Sequence, residues 1–175
     1  MWYPGTMTAR DDALQELLDK QAIREVVMRY CRGVDRGDAE LVAAAYWPDA
    51  TDDHPGDQHF TGETIGPEMV ASLLRSMQST NHQITTQTIE VDGDTAAAES
   101  YSLGSHVMSD GRRLRTLVRY LDRFEKRDGE WRIIHRLCLN DAAEVLPPDG
   151  STLGLAPPGR RDRSDPSYDF LPGSR

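Results

Sequence analysis

The chain has 175 residues, of which 38% are hydrophobic and 28% are charged. These proportions are typical of a globular protein in water, and the length suits one domain with a substantial core. The formal net charge is −9, from 29 acidic against 20 basic side chains. This balance argues against nucleic-acid binding, because a basic surface supplies most of the affinity in such complexes.

Membrane association and an oxidising compartment are also disfavoured. No stretch approaches the ~20 apolar residues that span a bilayer, and residues 1–10 lack the apolar run of a signal peptide. The two cysteines, Cys31 and Cys138, lie inside apolar patterns far apart in the chain. We therefore expect both to be buried and reduced, and the protein to be cytoplasmic with no membrane partner.

The first part of the chain predicts a long helix. Residues 1–10 have no repeating pattern and predict a loose lead-in. From about Asp12, apolar residues recur at spacings of three and four, which is typical of an amphipathic helix. Gly33 and Gly37 mark its expected end, because glycine commonly follows the last helical turn.

Two shorter helices are predicted after it. Asp38 is placed to cap a short helix that runs through Ala44, since an aspartate side chain can accept hydrogen bonds from a first helical turn. Residues 48–62 are polar and rich in Asp and Gly, which predicts loops with one short strand. Residues 66–77 return to helical spacing and predict a third helix.

The second half of the chain predicts strands. Four segments separated by Gly-containing turns should form an antiparallel meander, at 82–91, 95–108, 114–126 and 131–142. Because helices come first and strands last, the class is α+β, with one domain over residues 11–146. Residues 147–175 carry six prolines and predict an irregular tail that lies over a neighbour or stays mobile.

Strict alternation assigns the faces of the last predicted strand. It places Trp131 and Ile133 on one face and Ile134, Arg136 and Cys138 on the other. Both faces carry apolar residues, so we expect helices to cover one face and another subunit to cover the other.

Asp35 and His82 are the predicted acid–base pair. Asp35 extends the apolar stripe of the first helix and lies near its C-terminus, where a buried carboxylate is costly without a partner. His82 begins the first long strand, and a carboxylate on one ring nitrogen would orient it as a general base. The alternatives are an exposed turn aspartate and a surface histidine.

Three further side chains are candidates for the same cavity. Arg136 lies between apolar neighbours and needs an anionic partner, which is either a buried acid such as Asp35 or a bound ligand, and we favour the ligand. Tyr30 lies on the helix stripe, where it either packs in the core or offers its hydroxyl to the cavity. His106 shares a strand face with small residues that either leave room for a ligand or allow close helix packing.

An acidic and histidine-containing segment raises the question of a metal. Hard cations prefer carboxylates, and zinc binds histidine beside them. The spacing matches no standard metal loop, so we expect no metal at this cluster, which comprises Asp52, Asp53, His54, Asp57 and His59.

Two segments carry a family resemblance. Residues 23–38 (IREVVMRYCRGVDRGD), followed by YWPDA at 46–50, resemble the SnoaL-like branch of the nuclear transport factor 2-like superfamily. The segment GEWRIIHR at 129–136 is similar to the last-strand pattern of the same group. The resemblance extends from about Leu14 to Ala143.

The resemblance implies a cone-shaped α+β barrel, in which a curved antiparallel sheet wraps the N-terminal helices around a pocket. Members nearest in pattern are dehydratases and a dehydrochlorinase, which are cofactor-free lyases with an Asp–His pair. The matching positions are Asp35 and His82, with Tyr30, Arg136 and His106 as further catalytic candidates.

The resemblance also implies a small, cyclic, hydrophobic substrate, no cofactor or metal, and a homo-oligomer that is either a trimer or a dimer. The fold also hosts polyketide cyclases, isomerases and non-catalytic binding domains. These remain the alternatives to a lyase.

Overall fold

The computed structural model describes residues 9–56, 58–148 and 159–171. The strands form one sheet in the order β2-β1-β6-β5-β4-β3, and the predicted α+β class is confirmed. None of the helices in these ranges combines the length and apolar character needed to cross a bilayer. The elements in chain order are α1 (Ala9–Arg36), α2 (Ala39–Ala43), β1 (Tyr46–His54), β2 (Gln58–Thr61), α3 (Ile65–Ser76), β3 (Met77–Asp92), β4 (Thr95–Met108), β5 (Arg113–Arg127), β6 (Glu130–Leu146) and α4 (Ser167–Phe170).

Helix α1 packs its apolar stripe onto the sheet. The stripe residues are almost fully buried and include Ile23, Val27 and Val34. The helix ends before Gly37, whose φ of 63° suits glycine. Gly33 does not end the helix as predicted: it lies inside α1, where a Cβ would come within 2.8 Å of Val42, so glycine permits close packing of α1 on α2.

The two shorter helices follow the prediction. The Asp38 side chain accepts a hydrogen bond from the Leu41 backbone N–H at 3.2 Å and caps α2. Helix α3 coincides with the third predicted helix, and Met69 and Val70 on its inner face are buried.

The predicted four-strand meander is confirmed as β3 to β6, but the sheet is larger than expected. Strand β1 adds to β6 in parallel, and β2 adds to β1 antiparallel, which makes a mixed sheet of six strands. The acidic segment that predicted mainly loops forms these two strands. The sequence of β1 does not show the alternation of apolar and polar residues that is typical of a strand, because Asp52 occupies one of its inward positions and is 1% exposed.

The face assignment of β6 was wrong, because a β-bulge interrupts the strand. Phe124 on β5 pairs with Ile133 and Arg123 pairs with His135, so Ile134 is the extra residue. Alternation is shifted by one position beyond the bulge. Trp131, Ile133, Arg136 and Cys138 are consequently all buried on the face that meets the helices.

Part of the C-terminal tail packs on its own chain, which differs from the expected irregular segment. Helix α4 contributes Tyr168, which is 4% exposed and donates a hydrogen bond to Asp38 Oδ2 at 2.6 Å. Arg161 donates to the Met77 carbonyl at 2.8 Å. The rest of the tail, at 149–158 and 172–175, lies outside the described residues, as does most of the lead-in, at 1–8.

Candidate active site

The structure brings Asp35 and His82 together. Asp35 lies in the last turn of α1 and is 7% exposed, and His82 lies near the start of β3. Asp35 Oδ1 is 2.7 Å from His82 Nδ1, and Asp35 Oδ2 accepts a hydrogen bond from the His82 backbone N–H at 3.0 Å. The carboxylate therefore fixes both the backbone and the ring of the histidine.

A neighbouring hydrogen bond holds the two elements in register. The Thr80 hydroxyl, on β3, donates to the Val34 carbonyl, on α1, at 3.4 Å, and Thr80 is buried. Each partner in this bond lies within two residues of a member of the Asp35–His82 pair. The pair is consequently preorganised by the packing of α1 against β3.

The hydrogen bond to Asp35 determines the tautomer of His82. An ionised carboxylate can only accept, so Nδ1 carries the hydrogen and Nε2 of the neutral ring keeps a lone pair. The ring lines a cleft of about 400 Å³ between α1 and β3. A histidine with this tautomer in a cleft can remove a proton from a bound molecule. The residues lining the cleft are Met28, Cys31, Arg32, Asp35, Arg36, His82 and Ile84.

His106 lies beside His82. Their ring centroids are 5.1 Å apart, and His106 is 8% exposed. Burial, followed by the nearby His82, lowers the pKa of His106 to about 4, so the ring is neutral near pH 7. Its Nδ1 is buried and has no hydrogen-bond partner among the described residues. A neutral imidazole with a free nitrogen can exchange a hydrogen bond with a bound molecule.

Arg136 pairs with a buried acid, Asp122, and not with Asp35 or with the ligand that we favoured from the sequence. The two guanidinium–carboxylate hydrogen bonds measure 2.6 and 2.7 Å, and both side chains are fully buried. The guanidinium lies between the rings of Tyr30 and Tyr120, at 4.3 and 4.2 Å from their centroids. Although burial opposes the charge, Asp122 raises the pKa of Arg136 well above its ordinary value.

Tyr30 is a core residue whose hydroxyl meets a second histidine. Its oxygen is 3.3 Å from His54 Nε2, and His54 in turn bonds Asp52. The Tyr46 hydroxyl donates to the same aspartate at 2.6 Å. Burial raises the pKa of Tyr30 well above its ordinary value, so the phenol remains protonated. The Tyr30 hydroxyl thus contacts His54 and not the Asp35–His82 pair.

The acidic and histidine-containing segment forms two separate pairs. Asp52 bonds His54, and Asp53 Oδ1 is 2.6 Å from His59 Nδ1. Asp57 lies outside the described residues. In the part of the chain that the structure describes, no three His, Cys, Asp or Glu side chains are grouped to hold a metal ion.

Sequence reasoning missed the arginines around the cleft. Arg32 and Arg36 lie three residues before and one residue after Asp35, and both line the cleft. Helical spacing could have indicated Arg32, because residues three apart share a helix face. No pattern indicated Arg161, which reaches this region from the C-terminal tail.

Comparison with solved structures finds the same fold in proteins of low sequence identity. A type 2 hexachlorocyclohexane dehydrochlorinase (LinA) is 22% identical with a TM-score of 0.72, over 84% of this chain and 99% of that chain. A protein provisionally assigned as a scytalone dehydratase from Novosphingobium aromaticivorans is 20% identical with a TM-score of 0.68, over 78% and 97%. Rv3472 from Mycobacterium tuberculosis, whose function is unknown, is 28% identical with a TM-score of 0.64, over 71% and 77%.

The sequence itself matches a family model. None of the curated proteins matches the chain significantly. The model of the SnoaL-like domain matches residues 15–137, which include most of α1, both Asp35 and His82, and the sheet as far as Leu137 in β6. The chain therefore belongs to the SnoaL-like domain family, within the nuclear transport factor 2-like superfamily.

Proposed function

We propose that the protein is a cofactor-independent lyase that eliminates a leaving group from a small, cyclic substrate. The observation that carries this proposal is the double contact of Asp35 with the ring and the backbone of His82. It gives the histidine a fixed orientation and a free Nε2 in a cleft. These are the requirements of a positioned general base.

The chemistry follows from that arrangement. His82 Nε2 takes a proton from a carbon next to an activating group, and the electrons of the broken C–H bond form the new C=C bond. The leaving group departs with the electrons of its own bond to carbon. Asp35 stabilises the imidazolium that forms, and the proton later passes from His82 to the departing group or to water.

His106 is the candidate to assist His82. It is neutral near pH 7 because burial lowers its pKa to about 4, and it lies against His82. In one tautomer, its free Nδ1 can donate a hydrogen bond to a leaving oxygen or a developing enolate. One such donor typically contributes ~10²–10³-fold to the rate.

The names of two structural relatives support the reaction class. One relative is a dehydrochlorinase and the other is assigned as a dehydratase, and both names describe eliminations. Because their identities are near 20%, they support the fold directly and the chemistry only through the Asp35–His82 geometry.

Turnover assays test the proposal. We would present cyclic β-hydroxyketones and polychlorinated cyclohexanes, and follow alkene absorbance or chloride release. His82→Ala should lower turnover of any accepted compound by about 10²–10⁴-fold, because the lost group acts as the general base. His59→Ala is the matched control, since that histidine is exposed and remote from the cleft.

The alternatives give other outcomes. An isomerase or cyclase would convert a compound without releasing water or chloride. A non-catalytic binding domain would bind compounds and turn over none, in either the parent or the His82 variant.

Compartment and assembly belong to the same proposal. Cys31 and Cys138 are buried and unpaired as predicted, which suits work in the reducing cytoplasm. The sheet face turned away from the helices exposes large apolar side chains, which supports a homo-oligomer; light scattering would then give a mass above 19.6 kDa. These side chains are Tyr101, Leu117 and Leu137.

A further inference from the structure

The cleft beside His82 is lined by cations that the proposed elimination does not use. Arg32 and Arg36, one helical turn apart on α1, both line it. Arg36 donates a hydrogen bond to the Asp35 carbonyl at 3.3 Å, and its Nε is 3.6 Å from Asp165. Arg36 is therefore held at the edge of the cleft with only part of its hydrogen-bonding capacity used.

Arg32 has no carboxylate partner in the described part of the chain. Its guanidinium lies over the ring of Tyr168, at 4.9 Å from the centroid. Its Nε and NH2 nitrogens are shielded from water and meet no acceptor among the described residues. Buried donors without acceptors are rare in folded proteins, so an acceptor beyond the described residues, either water or a bound molecule, is expected beside them.

A third arginine reaches the same region from the tail. Arg161 NH1 donates to the carbonyls of Leu73 and Met77, which leaves Nε and NH2 buried and without described partners. The group lies close enough to Asp35 and Arg36 for both charges to act on it. The tail thus adds a second set of unfilled donors near the Asp35–His82 pair.

The cleft is rich in positive charge, although the whole chain is negatively charged. The chain carries a net charge of −9, yet the guanidinium groups of Arg32 and Arg36 line the cleft and that of Arg161 lies near enough to feel Asp35 and Arg36, against the carboxylates of Asp35 and Asp165. One of those carboxylates is already engaged by His82. A planar guanidinium with two free nitrogens matches the oxygens of a carboxylate or a phosphate in a bidentate manner.

We propose that the cleft takes a substrate with an anionic oxygen group, a carboxylate or a phosphate, which Arg32 binds with help from Arg36 and Arg161 while the rest of the molecule meets His82. This inference rests on the proposed function, because it assigns the substrate class of the same site. The substrate would then be a small apolar ring that bears one anionic group.

Calorimetric titration with simple aromatic probes tests the inference at low, constant ionic strength. Benzoate and phenyl phosphate carry the two anionic groups, and benzamide is the neutral counterpart of benzoate. The protein should bind at least one anion and should bind benzamide at least about tenfold more weakly. The anion that binds more tightly identifies the group.

Variants locate the binding. Arg32→Met should weaken anion binding by at least about tenfold. The anion affinity of Arg32→Lys should lie between those of the parent and Arg32→Met, because lysine keeps the charge but lacks the paired N–H donors of a guanidinium. Arg36→Met, which removes the second cation that lines the cleft, should also weaken anion binding. Arg24→Met is the matched control: it makes the same change on the same helix, outside the cleft, and should leave affinity unchanged.

The inference and the proposed function can fail separately. His82→Ala tests the elimination, because it should abolish turnover, whereas the anion affinities of the parent, Arg32→Met and Arg24→Met proteins test the inference. Equal binding of benzoate and benzamide, no anion binding, or equal affinities for the Arg32→Met and Arg24→Met proteins would overturn the inference. If His82-dependent turnover of neutral compounds accompanies any of these results, the lyase proposal stands and only the anionic substrate class is wrong.

Discussion

Replacement of Arg136 by Met should strongly destabilise the protein at neutral pH. Arg136 and Asp122 form a two-bond ion pair with both side chains fully buried. Methionine keeps an apolar stem but ends short of the guanidinium, which lies against the rings of Tyr30 and Tyr120, so some packing is lost as well. The Asp122 carboxylate, however, remains in the core without its cation. Uncompensated buried charges of this kind typically cost about 3–5 kcal/mol.

The dependence on pH and a double variant separate this cause from poor packing. In mild acid the stranded carboxylate can take up a proton, so the loss should shrink as the pH falls. Removing both charges in Asp122→Leu/Arg136→Met should recover most of the stability, because no unpaired charge remains. A packing defect would instead persist at every pH and would add to any defect from Asp122→Leu.

Urea denaturation followed by circular dichroism, at neutral and mildly acidic pH, provides the measurement. The control is Arg127→Met: Arg127 pairs with the exposed Asp49, and such surface pairs are worth about 0–1 kcal/mol. The reasoning would be refuted if Arg136→Met cost no more than Arg127→Met, or if its cost were the same at both pH values.

Two further predictions concern His106. A Cβ on Gly104 would lie 2.5 Å from His106 Nε2 and 2.2 Å from Thr116 Oγ1. Gly104→Ala should therefore displace the imidazole and lower turnover, with a loss of about 1–3 kcal/mol in the free energy of unfolding. Ser105→Ala, at an exposed neighbouring position, should change neither turnover nor stability, and equal effects of the two substitutions would contradict the close approach. The pKa of His106 is about 4, below its ordinary 6.5, so the unfolded chain binds the proton first and the free energy of unfolding should fall as pH drops from 6.5 toward 4. His106→Gln should lose that part of the pH dependence in urea melts, and an unchanged dependence would show that another group causes it.

The fold was largely predictable because its main elements follow local patterns. The stripe of α1, the cap at Asp38 and the glycine-containing turns between β3 and β6 each depend on neighbouring residues. The parallel pairing of β1 with β6 joins residues that are about 85 positions apart, such as Thr51 with His135, and no local pattern encodes it.

The candidate site was predictable only where a residue's role depends on its own element. Asp35 stood out as a carboxylate on an apolar stripe, and His82 as a histidine at a strand start. The partner of Arg136 was not predictable, because the bulge at Ile134 shifts the alternation and brings the guanidinium opposite Asp122. Arg161 reaches the start of β3 through packing of the tail, which only the folded chain reveals.

A primary deuterium isotope effect tests whether His82 removes a proton from carbon. A compound accepted in the turnover assay would be prepared with deuterium at the carbon that loses its proton, and kcat/KM would be compared for the two forms. If His82 removes this proton, the parent protein should turn over the deuterated form more slowly, and turnover should be about 10²–10⁴-fold lower in His82→Ala. Equal rates for both forms, together with unimpaired turnover in His82→Ala, would show that His82 does not remove a proton from carbon.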